Sequence, residues 1–332
     1  MQKAHLTARI LRRGFVATAL IVGVYAAAAT AVQAQDYLAR PVRIIVPSGP
    51  GGGYDLVGRI VGDQLAQRTG QGFVIENRIG AGTVVGTQAA INAAPDGYTL
   101  LVGGLSNIIF NASLYEKPPY DALTQLVPVA IVYKNNYILV TSKDRPYANV
   151  ADFIAAAKAK PNRLNVATAG IGTGQELSAV AFMEATGTQM SQVPYKSATA
   201  VYPDLLAGRV DAFFDSTTGA LPYVKAGSVK GLGILSVQRS KDAPEVPTMN
   251  EAGINGLALD SWIGLFAPSG TPQPILERLR IAIAESMPEI NTKFVAAGGE
   301  SISIPADKLD SFIRAENDTW AKLIKKARIN LK

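Results

Sequence analysis

The sequence runs to 332 residues, 48% hydrophobic and 17% charged, with a formal charge of +6; that length can build two cores and is large for one. Its only histidine, His5, lies inside what reads as an export signal, and it has no cysteine. Once the signal is removed, Ser-His-Asp and Cys-His nucleophile systems, Cys/His zinc sites and disulfides are all excluded.

In the signal, Lys3, Arg9, Arg12 and Arg13 precede an apolar run from Phe15 to about Val32, and Val32-Gln33-Ala34 supplies a small residue for cleavage. Cleavage after Ala34 leaves 298 residues with 28 basic against 26 acidic side chains, so the basic balance belongs mostly to the signal. A near-neutral mature surface gives no electrostatic footprint for nucleic acid. Arg12-Arg13-Gly14-Phe15-Val16 also looks like a twin-arginine core, with Leu11 where Ser or Thr is usual, so the Sec and twin-arginine routes both lead to an expected periplasmic location. The alternative is a retained membrane anchor, because the run approaches spanning length. Small residues at its end and the polar Gln33-Ala34-Gln35-Asp36 favour cleavage.

The first strand, expected at 42–46, feeds Pro47-Ser48-Gly49-Pro50-Gly51-Gly52-Gly53-Tyr54-Asp55, and Asp55 opens an apolar-periodic helix at about 55–69. Glycines there let backbone N–H groups converge beside the positive end of a helix dipole, which makes an anion cradle. No Lys follows as in a phosphate-binding Walker loop, and Tyr54 stands where the dinucleotide fingerprint needs its third glycine. A smaller anion than a nucleotide is expected. A flexible strand-to-helix connection is the alternative.

Further strands are expected at 73–75, 98–102, 127–132, 137–141, 164–167, 192–194, 212–215 and 231–236, with helices at about 83–94, 150–159, 174–186, 198–207 and 219–226. Alternation at this spacing implies parallel sheets flanked by helices, an α/β fold. Arg78 is expected to pair with a carboxylate and fix a turn. Ser106 and Asn107 follow a strand and could reach a cleft, although Ile108, Ile109 and Phe110 beside them could equally plug the first lobe.

A second glycine-rich turn, Thr168-Ala169-Gly170-Ile171-Gly172-Thr173-Gly174-Gln175, again joins a strand to a helix. Two facing lobes that each offer a helix N-terminus suit a ligand with anionic groups at both ends. Ala169, Gly170, Gly172, Thr173 and Gln175 are the candidates there. Ser197 and Thr199 are possible hydroxyl donors, and Lys196 could pair with a carboxylate or simply be solvated. Asp215, at a strand's carboxyl end, is a cleft candidate without an evident catalytic partner. The chain ends in helical faces from Pro274 and Asp307 that are expected to cover the first lobe.

Taken together, these segments resemble the solute-binding receptors of tripartite tricarboxylate transporters, the Bordetella uptake-type periplasmic binding proteins. The likeness is carried by Pro47 with Pro50-Gly51-Gly52-Gly53-Tyr54-Asp55, by Glu76-Asn77-Arg78 with Gly80-Ala81-Gly82, and by Ala94-Pro95-Asp96-Gly97-Tyr98-Thr99-Leu100-Leu101. It continues through Pro194-Tyr195-Lys196, Asp204 to Asp211, Val246-Pro247-Thr248 with Glu251-Ala252-Gly253, and Trp262 to Pro268, across essentially the whole mature chain.

The resemblance implies a two-lobed periplasmic binding protein of type II-like α/β fold, with two parallel-rich sheets, crossing strands and a ligand cleft between lobes. It implies a signal at 1–34, one lobe from 35–137 plus 259–332, a second at 138–258, and hinges near 136–141 and 259–264. The ligand is an organic carboxylate held partly through ordered waters, and site residues carry over as Ser48, Gly49, Gly51, Gly52, Gly53, Tyr54 and Asp55 in one lobe and Ala169 to Gln175 in the other. No cofactor, metal or catalysis is expected. The partners are the large and small subunits of a membrane permease or, as the rival reading, a membrane sensor kinase, and the protein is expected to be a monomer.

Several positions depart from the family pattern. Ser48-Gly49 replaces a common Phe-Pro, Gly174-Gln175-Glu176-Leu177 stands where a hydroxyl residue and a histidine are common, Ser197 follows Lys196 instead of Gly, and Ile108 replaces a polar residue. These changes imply gained hydroxyls, no imidazole and one more apolar wall, hence a dicarboxylate with an aromatic or medium-chain aliphatic middle.

Overall fold

The computed structural model describes residues 37–326, so the export signal read at 1–34 lies outside the described residues. The first half contains β1 (Val42–Val46), α1 (Gly53–Thr69), β2 (Phe73–Asn77), α2 (Val84–Ile91) and β3 (Thr99–Gly104). A π-helical turn at Leu105–Phe110 and the short α3 (Asn111–Leu114) and α4 (Ala122–Gln125) lead into β4 (Leu126–Ser142). Then come α5 (Val150–Ala159), β5 (Asn165–Thr168), α6 (Gly174–Thr186), β6 (Ser191–Pro194), α7 (Tyr202–Leu206), β7 (Ala212–Ser216), α8 (Thr217–Lys225) and β8 (Val229–Ile234). The chain closes with β9 (Asp260–Pro268), α9 (Gln273–Ala296), the two-residue β10 (Glu300–Ser301), a 3-10 turn at Ala306–Lys308 and α10 (Leu309–Lys326).

Two parallel blocks are joined by long antiparallel strands. On one side β2, β1 and β3 are parallel; on the other β6, β5 and β7 are parallel. Between them β9 pairs antiparallel with β3 and β4, and β4 pairs antiparallel with β7 and β8. The parallel-rich sheets with crossing strands expected from the sequence are thus observed, the parallel pairs in each block and the antiparallel pairs along β4 and β9. The runs at 127–132 and 137–141 are one 17-residue strand, β4, which pairs with β9 through Asn136 and with β7 from Tyr137 onward. The polar Lys134-Asn135-Asn136 that divides the two apolar runs does not break the strand, because its backbone groups pair across to Asp260, Ser261 and Trp262. The helix expected at 198–207 shrinks to Tyr202–Leu206: Pro203 sits in its first turn, and Ser197 Oγ accepts from Ala200 N to hold a turn ahead of it.

The core follows this division. Val42, Ile44 and Val46 of β1 pack with Val57, Val61 and Leu65 of α1 and with Ile275, Leu276, Leu279 and Ile283 of α9. On the other side Ile138 and Val140 of β4, Phe213 of β7 and Leu205 of α7 form a second cluster. A third, with Phe110, Phe182, Phe214, Trp262 and Trp320, runs between the blocks. The terminal helices therefore cover the first block as expected: α9 lies on α1, and the α10 ring Trp320 packs edge-on against Phe110 at 4.8 Å. Among the described residues no helix is long and apolar enough to cross a membrane.

Candidate functional site

Both glycine-rich turns open onto one cavity of about 610 Å³ between the two halves. α1 begins at Gly53 with Gly52 as its cap and no side-chain cap bond, so the N–H groups of its first turn are left to whatever occupies the cavity. The turn itself is held from behind. Asp55 is only 3% exposed, accepts from Gly51 N at 2.9 Å and from Asn77 Nδ2 at 2.9 Å, and pairs with Arg59 at 2.9 Å. Burial raises the Asp55 carboxyl, but these donors outweigh it and leave it below the usual carboxylate range. Arg78 pairs with Glu76 at 2.5 Å and fixes the following turn, as its sequence position suggests.

The second turn is differently built. Thr173 caps α6 by accepting from Glu176 N, Glu176 Oε2 accepts from Gly172 N at 2.6 Å, and Gly174 N donates to Ser106 Oγ at 3.2 Å. Ser106 belongs to the π-helical turn of the opposite half, so this last bond crosses the cleft. Three donors expected to face an anion are already taken by the protein.

The halves are closed on each other. Gly82 lies against the Ile171 carbonyl, and Gly174 against the Tyr137 hydroxyl, so closely that a Cβ at either glycine would overlap its neighbour. At the mouth, a Cβ on Gly49 would sit 3.1 Å from Ser197 Cβ, and Thr199 Oγ1 lies 3.5 Å from the Pro50 carbonyl. Gly80, Ala81, Gly82 and Thr83 all have positive φ, at 152°, 44°, 57° and 81°. For Ala81 and the β-branched Thr83 that is a strained conformation, held at the cavity wall.

Of the sequence candidates, Ser48, Gly49, Gly52, Gly53, Tyr54, Ser106, Ala169, Gly170, Thr173, Gln175 and Ser197 line the cavity. Gly51, Asp55, Asn107, Gly172 and Asp215 do not line it and stand beside or behind residues that do. Asn107 is fully buried: its Oδ1 accepts from Tyr54 Oη at 3.3 Å and from Gly104 N, and its Nδ2 donates to Thr87 Oγ1 and the Val102 carbonyl. Ile108 is buried in the core with Ile109 and Phe110 and makes no wall of this cavity, so these residues plug the lobe. Lys196 is exposed and stands at the cavity rim.

Asp215 sits one hydrogen bond behind the wall. Its carboxyl accepts from Tyr202 Oη at 2.7 Å, Ser216 N at 2.8 Å and Gln175 Nε2 at 3.5 Å. Burial pushes it up to about 6 despite these donors. Burial likewise pushes the Tyr137 hydroxyl to about 12 and raises that of Tyr54, so both are neutral donors at ordinary pH.

Sequence reasoning missed the Gly80 to Thr83 turn and the residues contributed by the crossing strands, Asn135, Tyr137, Ser261 and Ile263. The polar break at Lys134-Asn135-Asn136 was the available signal. Ser48 Oγ and Asn135 Oδ1 are buried at the cavity without a partner in the protein, which marks them as groups a ligand or water satisfies. Among the described residues no acidic cluster is arranged to hold a metal ion.

The model of the tripartite tricarboxylate transporter family receptor matches residues 57–329. The chain belongs to that family. It is 33% identical to Protein BugT of Bordetella pertussis over 94% of this chain and 98% of that one. Among solved structures it resembles Rpa4515 of R. palustris with adipate, at 29% identity and TM-score 0.85 over 89% of this chain and 99% of the other. It also resembles MatC of Rhodopseudomonas palustris with bound malate, at 30% identity and TM-score 0.82 over 86% and 99%. The fold is that of a two-lobed periplasmic binding protein, and family and fold alike are those of solute receptors and not of enzymes.

Proposed function

We propose that this receptor captures an organic dicarboxylate with an apolar middle, aromatic or medium-chain aliphatic, between lobes 35–137 plus 259–332 and 138–258. It acts in the periplasm as a monomer after export by the Sec or twin-arginine route, and delivers its ligand to the large and small subunits of a membrane permease. The observation that carries this is one cavity of about 610 Å³ lined by both glycine-rich turns and by the apolar Ile79, Ala81, Ile171 and Ile263. Apolar walls between hydrogen-bonding ends match a ligand of that form. The adipate and malate in the two solved relatives support the carboxylate class.

The ligand set is Ser48, Gly49, Gly52, Gly53, Tyr54, Ser106, Ala169, Gly170, Thr173, Gln175 and Ser197, with Gly51, Asp55, Asn107, Gly172 and Asp215 as support. Binding is closure about β4 and β9 near Asn136 and Asp260, and no bond is made or broken. Titration calorimetry against citrate, succinate, adipate, glutamate and terephthalate tests the reading. Adipate or terephthalate should bind tightest; nanomolar citrate with no response to those two overturns it.

A further inference from the structure

The two ends of the cavity differ in charge. At the first end Asp55 is matched by Arg59, the first turn of α1 has no capping side chain, and Lys196 stands at the rim beside Ser197, which faces Gly49. Behind the wall of the second end stand two carboxyl groups, Asp215 and Glu176, and among the described residues no cation is bonded to either. Asp215 is packed among Tyr202 of α7, Tyr133 and Tyr137 of β4, Gln175 of α6, and Ser216 with Gly219 from β7 and α8. Its titratable neighbours are thus tyrosines held neutral by burial.

The N-terminus of α6, which would otherwise favour an anion, is already answered. Glu176 accepts from Gly172 N, Thr173 Oγ1 from Glu176 N, and Ser106 Oγ from Gly174 N. A ligand carboxylate here would meet like charges in a medium that screens them poorly. Gln175 shows the same preference. Its amide nitrogen faces the acceptor-only carboxylate of Asp215, which leaves its carbonyl oxygen as the group offered to the cavity it lines.

We infer that the second-lobe end takes an uncharged hydrogen-bond donor, so that the ligand is held as a monoanion: a half-protonated diacid, a half-amide or a hydroxy acid. This rests on the carboxylate-receptor reading and narrows it. The ionised end lies toward α1 and Lys196, and the donor end lies on Gln175, positioned by Asp215. A diacid that is a dianion in solution must take up one proton from solvent on binding, and the half-amide need not.

Titration calorimetry of the mature chain with adipate, its monoamide and its monomethyl ester, from pH 7 to 8, where Asp215 is ionised, in buffers of different ionisation enthalpy, tests this. Adipate should bind with one proton taken up and lose about tenfold in affinity per pH unit once its second carboxyl is ionised in solution. The monoamide should hold its affinity across that range, and the ester, which lacks a donor, should be at least tenfold weaker than the amide. Gln175→Leu should erase the amide's advantage over the ester. If terephthalate is the binder, its monoamide and monomethyl ester make the same comparison. Constant diacid affinity to pH 8 without proton uptake, or an ester as tight as the amide, overturns the inference alone. Failure of every diacid overturns the receptor reading and this inference with it.

Discussion

The two glycine-rich turns look alike in sequence and do different work. The turn at Ser48 to Asp55 keeps its helix N-terminus open because its one carboxylate, Asp55, is drawn backward by Arg59 and Asn77. The turn at Thr168 to Gln175 closes its own helix N-terminus with Thr173 and Glu176 and lends Gly174 N to the opposite lobe. Similar backbone chemistry leaves a helix N-terminus open or makes it a closing surface according to where the neighbouring carboxylate points. The number of glycines does not decide it.

The strongest way to break that comparison is Gly82→Ala. A Cβ there overlaps the Ile171 carbonyl of the second turn only when the lobes are closed. Ligand affinity should fall at least a hundredfold, while the unliganded protein loses about 1 kcal/mol for a side chain at φ 57°. Calorimetry and thermal unfolding together check this; retained affinity would mean that binding does not need closure to this depth.

The two acids sharpen the comparison because their shifts have opposite signs. Asp215 is raised from 3.8 to about 6, so its contribution to stability is fully present below the ordinary carboxylate range and is lost as pH rises through 6. Relative to Asp215→Asn, the native chain should lose on the order of 2 to 3 kcal/mol between pH 4 and 7. Asp55 is lowered, so its contribution is present above the ordinary range and is lost as pH falls through its folded value. Asp55→Asn should cost about 2 kcal/mol at pH 7, and less in acid. Denaturant unfolding at several pH values reads both slopes, and parallel slopes would deny that the two carboxylates sit in different environments.

Much of the frame was legible from periodicity, because α1, α5 and α6 are bounded by residues whose local chemistry agrees with their tertiary role: Gly70 and Gly187 in left-handed C-caps, Asn149 and Thr173 at N-caps. The site was legible where glycine marks a backbone approach. It was not legible along β4 and β9, where Asn135, Tyr137 and Ser261 reach the cavity because two strands cross, a pairing between residues more than a hundred positions apart. Nor could local sequence tell that Asn107 turns inward to hold Tyr54 while its neighbour Ser106 turns outward. Both sit on the π-helical turn Leu105–Phe110, where neighbouring side chains face different ways and tertiary packing decides which of them reaches the cavity.

Ser106→Ala gives the smallest expected effect and isolates closure most cleanly. Ser106 Oγ and Gly174 N meet only across the closed cleft, and with the lobes apart each can bond water. Losing that bond therefore leaves the stability of the separate lobes unchanged and removes about 1 kcal/mol from the closed state, roughly a fivefold loss of affinity. Because the bond forms after the ligand has entered, dissociation should quicken about fivefold with association unchanged. Stopped-flow binding and release measure the two rates directly. A slowed association with unchanged release would place Ser106 in ligand capture instead and return α6 to the role of a second anion cradle.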